Sequence, residues 1–201
     1  MEVAPVGESA KVDAASIIRD QAILYGQNLG AKDALVGKIE KRPGDYAPPV
    51  LFATACHLFS KDDREGAYFW FCLARLRAMY DVARCADKTV EDAVGVMIMN
   101  VDGAFPELRQ YAWMLGSDKI VPFTEKVLKF DRETPYDYDQ RYINLHGMEA
   151  FTGSEGLSLP KKEWPALLKK VRADILDAAR STATQLKEKE KKPNQSPQPT
   201  R

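Results

Sequence analysis

Long apolar runs, net charge and cysteines at paired spacings are all scarce in this sequence, and each absence removes a class of explanation. No window approaches the roughly 20 apolar residues that cross a bilayer. The opening MEVAPVGESAKVDAAS lacks a basic stretch followed by a hydrophobic one. The expected setting is therefore the cytoplasm, or the periplasm if an export leader has been removed, with no membrane partner. Lys plus Arg and Asp plus Glu each total 29, so the net charge is zero and no global field draws in nucleic acid. The expected partner is another protein or a second copy of this chain, selected by local surface. Cys56, Cys72 and Cys85 form an odd set without the short paired spacings of zinc sites. That pattern predicts reduced, mostly buried thiols and no metal, since Cys56 and His57 point about 100° apart on a helix and do not readily share an ion. The sequence also has no nucleophile motif, phosphate-cradling glycine loop or helix-borne metal pair. No cofactor is expected.

What is present is helical. With 201 residues, 45% of them hydrophobic, the chain can build one domain with a real core. The predicted architecture is all-α: a compact multi-helix domain around a central antiparallel helix hairpin, with one long irregular segment and a long C-terminal helix. A first helix after Asp13 places Ile17, Ile18, Leu24 and Tyr25 on one side, and a short helical stretch over 32–39 follows. The proline-rich run from Arg42 to Pro49 must be a loop, with Pro49 opening the next helix. The hairpin then spans residues 49–85. Thr89 with Asp92 forms a capping box for a helix through Met99, Pro106 starts another, and one more runs from Ile120 to Phe130. Residues 131–156 lack helical period. The last helix begins near Lys161 and carries Trp164, Leu168, Val171, Ile175 and Ala178 on one stripe. The domain is expected to occupy 13–186, between a flexible 1–12 and a disordered polar tail at 187–201.

Within the hairpin, Ala55, Ala67, Phe71 and Ala74 stand where a tetratricopeptide-type unit carries its small residues and aromatic, so this segment resembles a single such unit. No second copy follows one repeat length on. The resemblance implies a protein-interaction scaffold rather than a catalyst. The closing PNQSPQPTR resembles tails produced when a reading frame runs into the recombination site of a bacterial mobile gene cassette, which implies an accessory role such as an immunity or antitoxin-like binder.

Candidate functional residues follow from the helical wheel at about 100° per residue. In the first hairpin helix, Thr54, His57 and Ser60 fall opposite the apolar side, so His57 is expected to face solvent. In the second, Arg77, Asp81 and Arg84 share a narrow polar arc, and Trp70 lies on that arc as well. An exposed Trp beside Arg has the composition of a binding hot spot, so Trp70, Arg77 and the tyrosines Tyr136, Tyr138 and Tyr142 are candidate partner contacts. Coverage of Trp70 by the irregular segment is the other reading. Arg75 projects into the apolar arc near Tyr68, Phe71, Met79 and Val82. It is either one half of a buried ion pair, with Asp131, Asp137 or Asp139 as partner, or a ligand-binding arginine. Asp137, Asp139 and His146 are the groups a small-ligand enzyme or hydrolase would use. Turn capping by the same aspartates is the structural alternative. The leading expectation is a protein-binding helical module, ahead of that enzyme and of a homodimeric structural protein.

Overall fold

The computed structural model describes residues 4–153 and 156–191. It is an all-α domain, and among the described residues the only β contact is a single bridge between Cys85 and Ser158. The hairpin is its centre. Helices α1 (Ala15–Tyr25), α2 (Leu29–Lys41), α3 (Pro48–Ser60) and α4 (Arg64–Arg84) come first. Pro48 and Pro49 occupy the first turn of α3, where no backbone donor is needed. Asp62 takes a left-handed conformation at φ 65°, and Asp63 caps α4 by accepting from the Gly66 N–H at 3.0 Å. A link this short makes α3 and α4 antiparallel neighbours. Ala55, Ala67 and Ala74 are all fully buried, and such small side chains let two helices approach closely.

Helix α3 is buried on every side from Pro48 through Leu58, because α1 covers the face that α4 leaves open. This corrects the expectation for His57, which is 3% exposed. Its Nε2 lies 2.8 Å from Asp33 Oδ1 on α2, and Thr54 donates to the Val50 carbonyl at 3.0 Å. A helix with neighbours all round must satisfy its polar side chains internally. On α1, Leu24 is buried while Ile18 is 65% exposed, and the half-exposed Tyr25 keeps its hydroxyl within the field of Cys56 on α3.

The second half contains α5 (Ala93–Ala104), α6 (Glu107–Leu115), α7 (Ile120–Glu133), the short α8 (Glu149–Thr152) and α9 (Trp164–Glu190). Thr89 is not a capping box partner for Asp92. Its N–H and hydroxyl both donate to Asp87, which caps a short 3-10 turn instead. Helix α5 also continues past Asn100 to Ala104. Helix α9 packs across α4 and α7 and buries Val171, Ala179 and Leu186, so its contact stripe reaches Ala179 rather than the exposed Ala178.

Both proposed domain ends shift. The Val6 N–H donates to the Ala150 carbonyl at 2.8 Å and Ser9 is buried, so the N-terminal segment is pinned from Val6 onward. The first four residues of the expected polar tail, 187–190, belong to α9. Residues 1–3 and 192–201 lie outside the described residues.

The hairpin contact makes a testable demand. Ala74→Leu should lower stability by about 1–3 kcal/mol through overpacking, whereas Ala104→Leu at an exposed helix end should stay within about 0.5 kcal/mol of wild type. Urea denaturation of the two variants checks this.

Candidate functional site

The polar arc of α4 faces inward. Arg77 and Asp81 are 0% exposed and Arg84 is 3% exposed, because residues 131–147 and α9 close over them. Asp131, at the end of α7, is also 0% exposed. Its carboxylate accepts from Arg77 Nε at 3.4 Å, from the Tyr136 hydroxyl at 2.6 Å, and from Arg172 Nη2 on α9 at 2.6 Å. Arg77 Nη1 donates to the Pro43 carbonyl at 2.9 Å, and the Tyr136 ring lies 4.7 Å from its guanidinium carbon. A second cluster sits one turn further on. Arg84 Nη2 donates to Asp81 at 2.6 Å, and the Tyr138 hydroxyl donates to the same carboxylate at 3.0 Å. Tyr80 and Trp164 flank the Arg84 guanidinium at 4.4 and 4.8 Å, so aromatic faces stand where its Nε lacks a hydrogen-bond partner. Tyr142 contributes to the field at Asp81 without its hydroxyl meeting hydrogen-bond geometry.

Several expectations change accordingly. Trp70 is 5% exposed, so it is covered, with the Phe130 ring of α7 lying 6.2 Å from its own. Arg77, Tyr138 and Tyr142 are buried and Tyr136 half-buried, so these residues hold the segment onto α4 and present no open contact surface. Gly44 explains part of this docking. Its carbonyl accepts from the N–H groups of Asp137 and Tyr138 at 2.9 and 3.0 Å, and a Cβ there would come within 2.6 Å of the Pro135 carbonyl oxygen. Only glycine permits that approach.

Arg75 is the reverse case, exposed rather than buried. The apolar arc it shares with Tyr68, Phe71 and Cys72 opens into a cleft of about 600 Å³ between α4, α6, α7 and α9. Trp113, Ile120, Val127 and Ile175 extend the apolar lining, and Arg109 and Asp102 stand at the edge, joined by a 2.7 Å ion pair. Arg75 has no ion pair or hydrogen bond among the described residues. Burial pushes the Cys72 thiol up to about 12 against the opposing influence of Tyr68 and Arg75, so it remains a protonated, unreactive group at neutral pH. A second cleft of about 660 Å³ lies between α1 and α2. Its carboxylates are engaged: Asp20 by Arg19, Asp45 by Arg42, Asp139 by Arg141, and Asp13 by the Ala15 N–H.

No protein family, curated protein sequence or solved structure matches this chain.

The residues of the enzyme alternative do not form a common site. Asp139 caps the 3-10 turn Gln140–His146 and is gripped by Arg141 at 2.7 Å, which holds its carboxyl below the usual range. Asp137 is exposed and contributes its backbone N–H to Gly44. His146 is exposed and stacks edge-on against Tyr142 at 6.4 Å. A histidine–carboxylate pair that sequence reasoning missed, His57 with Asp33, has Lys61 on the same carboxylate at 2.9 Å. A carboxylate only accepts, so Nε2 carries the proton, and the buried Nδ1 has no partner among the described residues. The pair ties α2 to α3. The signal was the wheel position of His57 read without its neighbours.

The network yields two measurements. Asp131→Ala strands a buried guanidinium and should cost about 3–5 kcal/mol, while the apolar double variant Arg77→Met with Asp131→Leu should lose less than Asp131→Ala alone. Burial pushes the Asp81 carboxyl up to about 6, against an ordinary 3.8. Between those values the folded chain keeps a proton that the unfolded chain has released. The contribution of Asp81 is thus fully present below 3.8 and is lost as pH rises to about 6, a change on the order of 3 kcal/mol. Denaturation at pH 4 and pH 6 should show wild type losing about 2 kcal/mol of this relative to Asp81→Asn.

Proposed function

We propose that this protein is a protein-binding helical module whose recognition face is the outward side of α5 and α6. One observation carries the reading: Val96, Met99, Trp113 and Met114 are 48%, 70%, 46% and 68% exposed. Helix α5 has a single charged residue, Asp102, and Arg109 already holds it. Its exposed positions Val96, Met99, Asn100 and Gly103 recur at helical spacing and offer a partner an uncharged ridge. Methionine at two of the exposed positions suits such a surface, because an unbranched thioether adapts to the shape set against it. Exposed apolar patches on a folded domain are the usual mark of an interaction site.

The partner best fitted to this ridge is an amphipathic helix laid along α5 with its apolar side inward. The likeness of the C-terminal nine residues to gene-cassette tails supports a bacterial accessory setting, such as immunity or antitoxin-like binding. The single tetratricopeptide-like hairpin supplies the scaffold and not the contact, since its helices are enclosed by α1, α7 and α9.

Affinity capture from a bacterial lysate, followed by titration of the purified partner, tests this. The double variant Met99→Glu with Met114→Glu should weaken binding at least tenfold, and Ile18→Glu, on the opposite half of the domain, should leave it unchanged. Retention of nothing above background, or equal retention by the double variant, removes the proposal. Light scattering over a concentration series separates a foreign partner from a second copy. A dimer dissolved by the same double variant would make self-assembly the function of this face.

A further inference from the structure

We infer that the cleft between α4, α6, α7 and α9 is a binding site for a small amphipathic carboxylate, with Arg75 as its anion anchor. The cleft volume of about 600 Å³ falls in the range that encloses small ligands. Its walls divide by chemistry. Tyr68, Phe71, Ile120 and Val127 supply an apolar surface, with Tyr68 stacked against Phe71 and tilted against Phe123 at ring distances of 6.3 and 5.3 Å. Those packed rings form a rigid floor on which a flat or extended apolar body can lie.

The charge on the lining is specific. Among the described residues that line it, Arg75, Arg109 and Asp102 are the only ionised groups, and Arg109 and Asp102 satisfy each other at 2.7 Å. That leaves one uncompensated guanidinium, on the same face of α4 as Tyr68 and Cys72 at helical spacings of seven and three. Its positive field reaches both of those side chains. A guanidinium fork binds a carboxylate through two parallel hydrogen bonds. With Arg75 the one unpaired cation among the described lining residues, the matching complement is a monoanion. The bound molecule is thus a monocarboxylic acid with an aryl or medium-chain body.

Trp113 borders both this site and the partner face, and the two are distinguished by Val96, Met99 and Met114, which lie outside the cleft lining. The probes are 2-naphthoate and its uncharged counterpart 2-naphthamide, titrated calorimetrically into the full chain. Naphthoate should bind with a sub-millimolar Kd and the amide at least tenfold more weakly. Arg75→Gln should abolish that preference while keeping the circular dichroism and unfolding midpoint of wild type, since the replaced side chain is exposed. Val127→Trp, which fills the apolar wall, should weaken both probes together. Arg132→Gln, on an exposed face outside the cleft, should change nothing. Absence of naphthoate binding, equal binding of acid and amide, or an unchanged preference in Arg75→Gln would each overturn the assignment. Loss of partner capture in Met99→Glu with Met114→Glu leaves these titrations unaffected.

Discussion

Arg77 sits in the middle of the central helix with no exposed surface, and a guanidinium in that position stays folded only if its charge and its donors are met by protein groups. Three elements supply its partners, although its Nη2 has no hydrogen bond among the described residues, and a fourth braces the carboxylate they share. The turn before α3 contributes the Pro43 carbonyl, the end of α7 contributes Asp131, the segment after α7 contributes the face of Tyr136, and α9 sends Arg172 to the far oxygen of the same carboxylate. The 3.4 Å contact from Arg77 to Asp131 is longer than the 2.6 Å contact from Arg172. Arg77 is therefore held by its combined partners more than by one strong ion pair. Ionic clusters inside a protein add little net stability compared with apolar packing, yet removing one member is costly. Their structural effect here is registration: α4, α7 and α9 must meet at one relative position for every charge to find its partner.

That registration explains why the least regular part of the chain is firmly placed. Asp131, Tyr136, Tyr138 and Asp139 give up their polar groups to α4, to backbone N–H groups and to neighbouring arginines. Tyr138 reaches Asp81, Tyr136 reaches Asp131, and Asp139 is closed by Arg141. A segment whose polar atoms are consumed in holding it down has few left to offer a substrate or partner. Available surface lies elsewhere, on the outward side of α5 and α6 and in the cleft beside Arg75. In both places the packing stops short and leaves apolar side chains or an unpaired cation facing water.

The exposed ridge on α5 and the cleft beside α4 share Trp113 as a boundary: it lines the cleft, remains 46% exposed, and carries the Lys189 ammonium 4.2 Å above its ring. Helix α9 thus helps shape both surfaces, by walling the cleft with Ile175 and Ala179 and by placing Lys189 over Trp113. The same helix supplies Arg172 to the buried network, so the interior clusters and the exposed features depend on one docking event.

Much of this fold could be read from local residue chemistry. Prolines at 48, 49 and 165 and the cap at Asp63 act through backbone donors within a turn or so, which is why the helices and the hairpin were legible. The wheel arithmetic also placed Arg77, Asp81 and Arg84 together and Arg75 opposite them. What it did not contain was which arc faces inward. An arc of charges is buried if another element brings matching charges, as Asp131 and Arg172 do, and an apolar arc stays wet if its neighbours leave a cleft, as α6 and α9 do beside Arg75. His57 was misplaced for the same reason, since α2 covers it from a distant position in the chain, and Trp70, for which coverage was one of the two readings, is covered with Phe130 of α7 against it. Periodicity is a property of one helix, whereas burial is a property of the elements packed against it. The sequence alone determined where the helices run and which side chains share a face; the tertiary structure decided which face meets solvent.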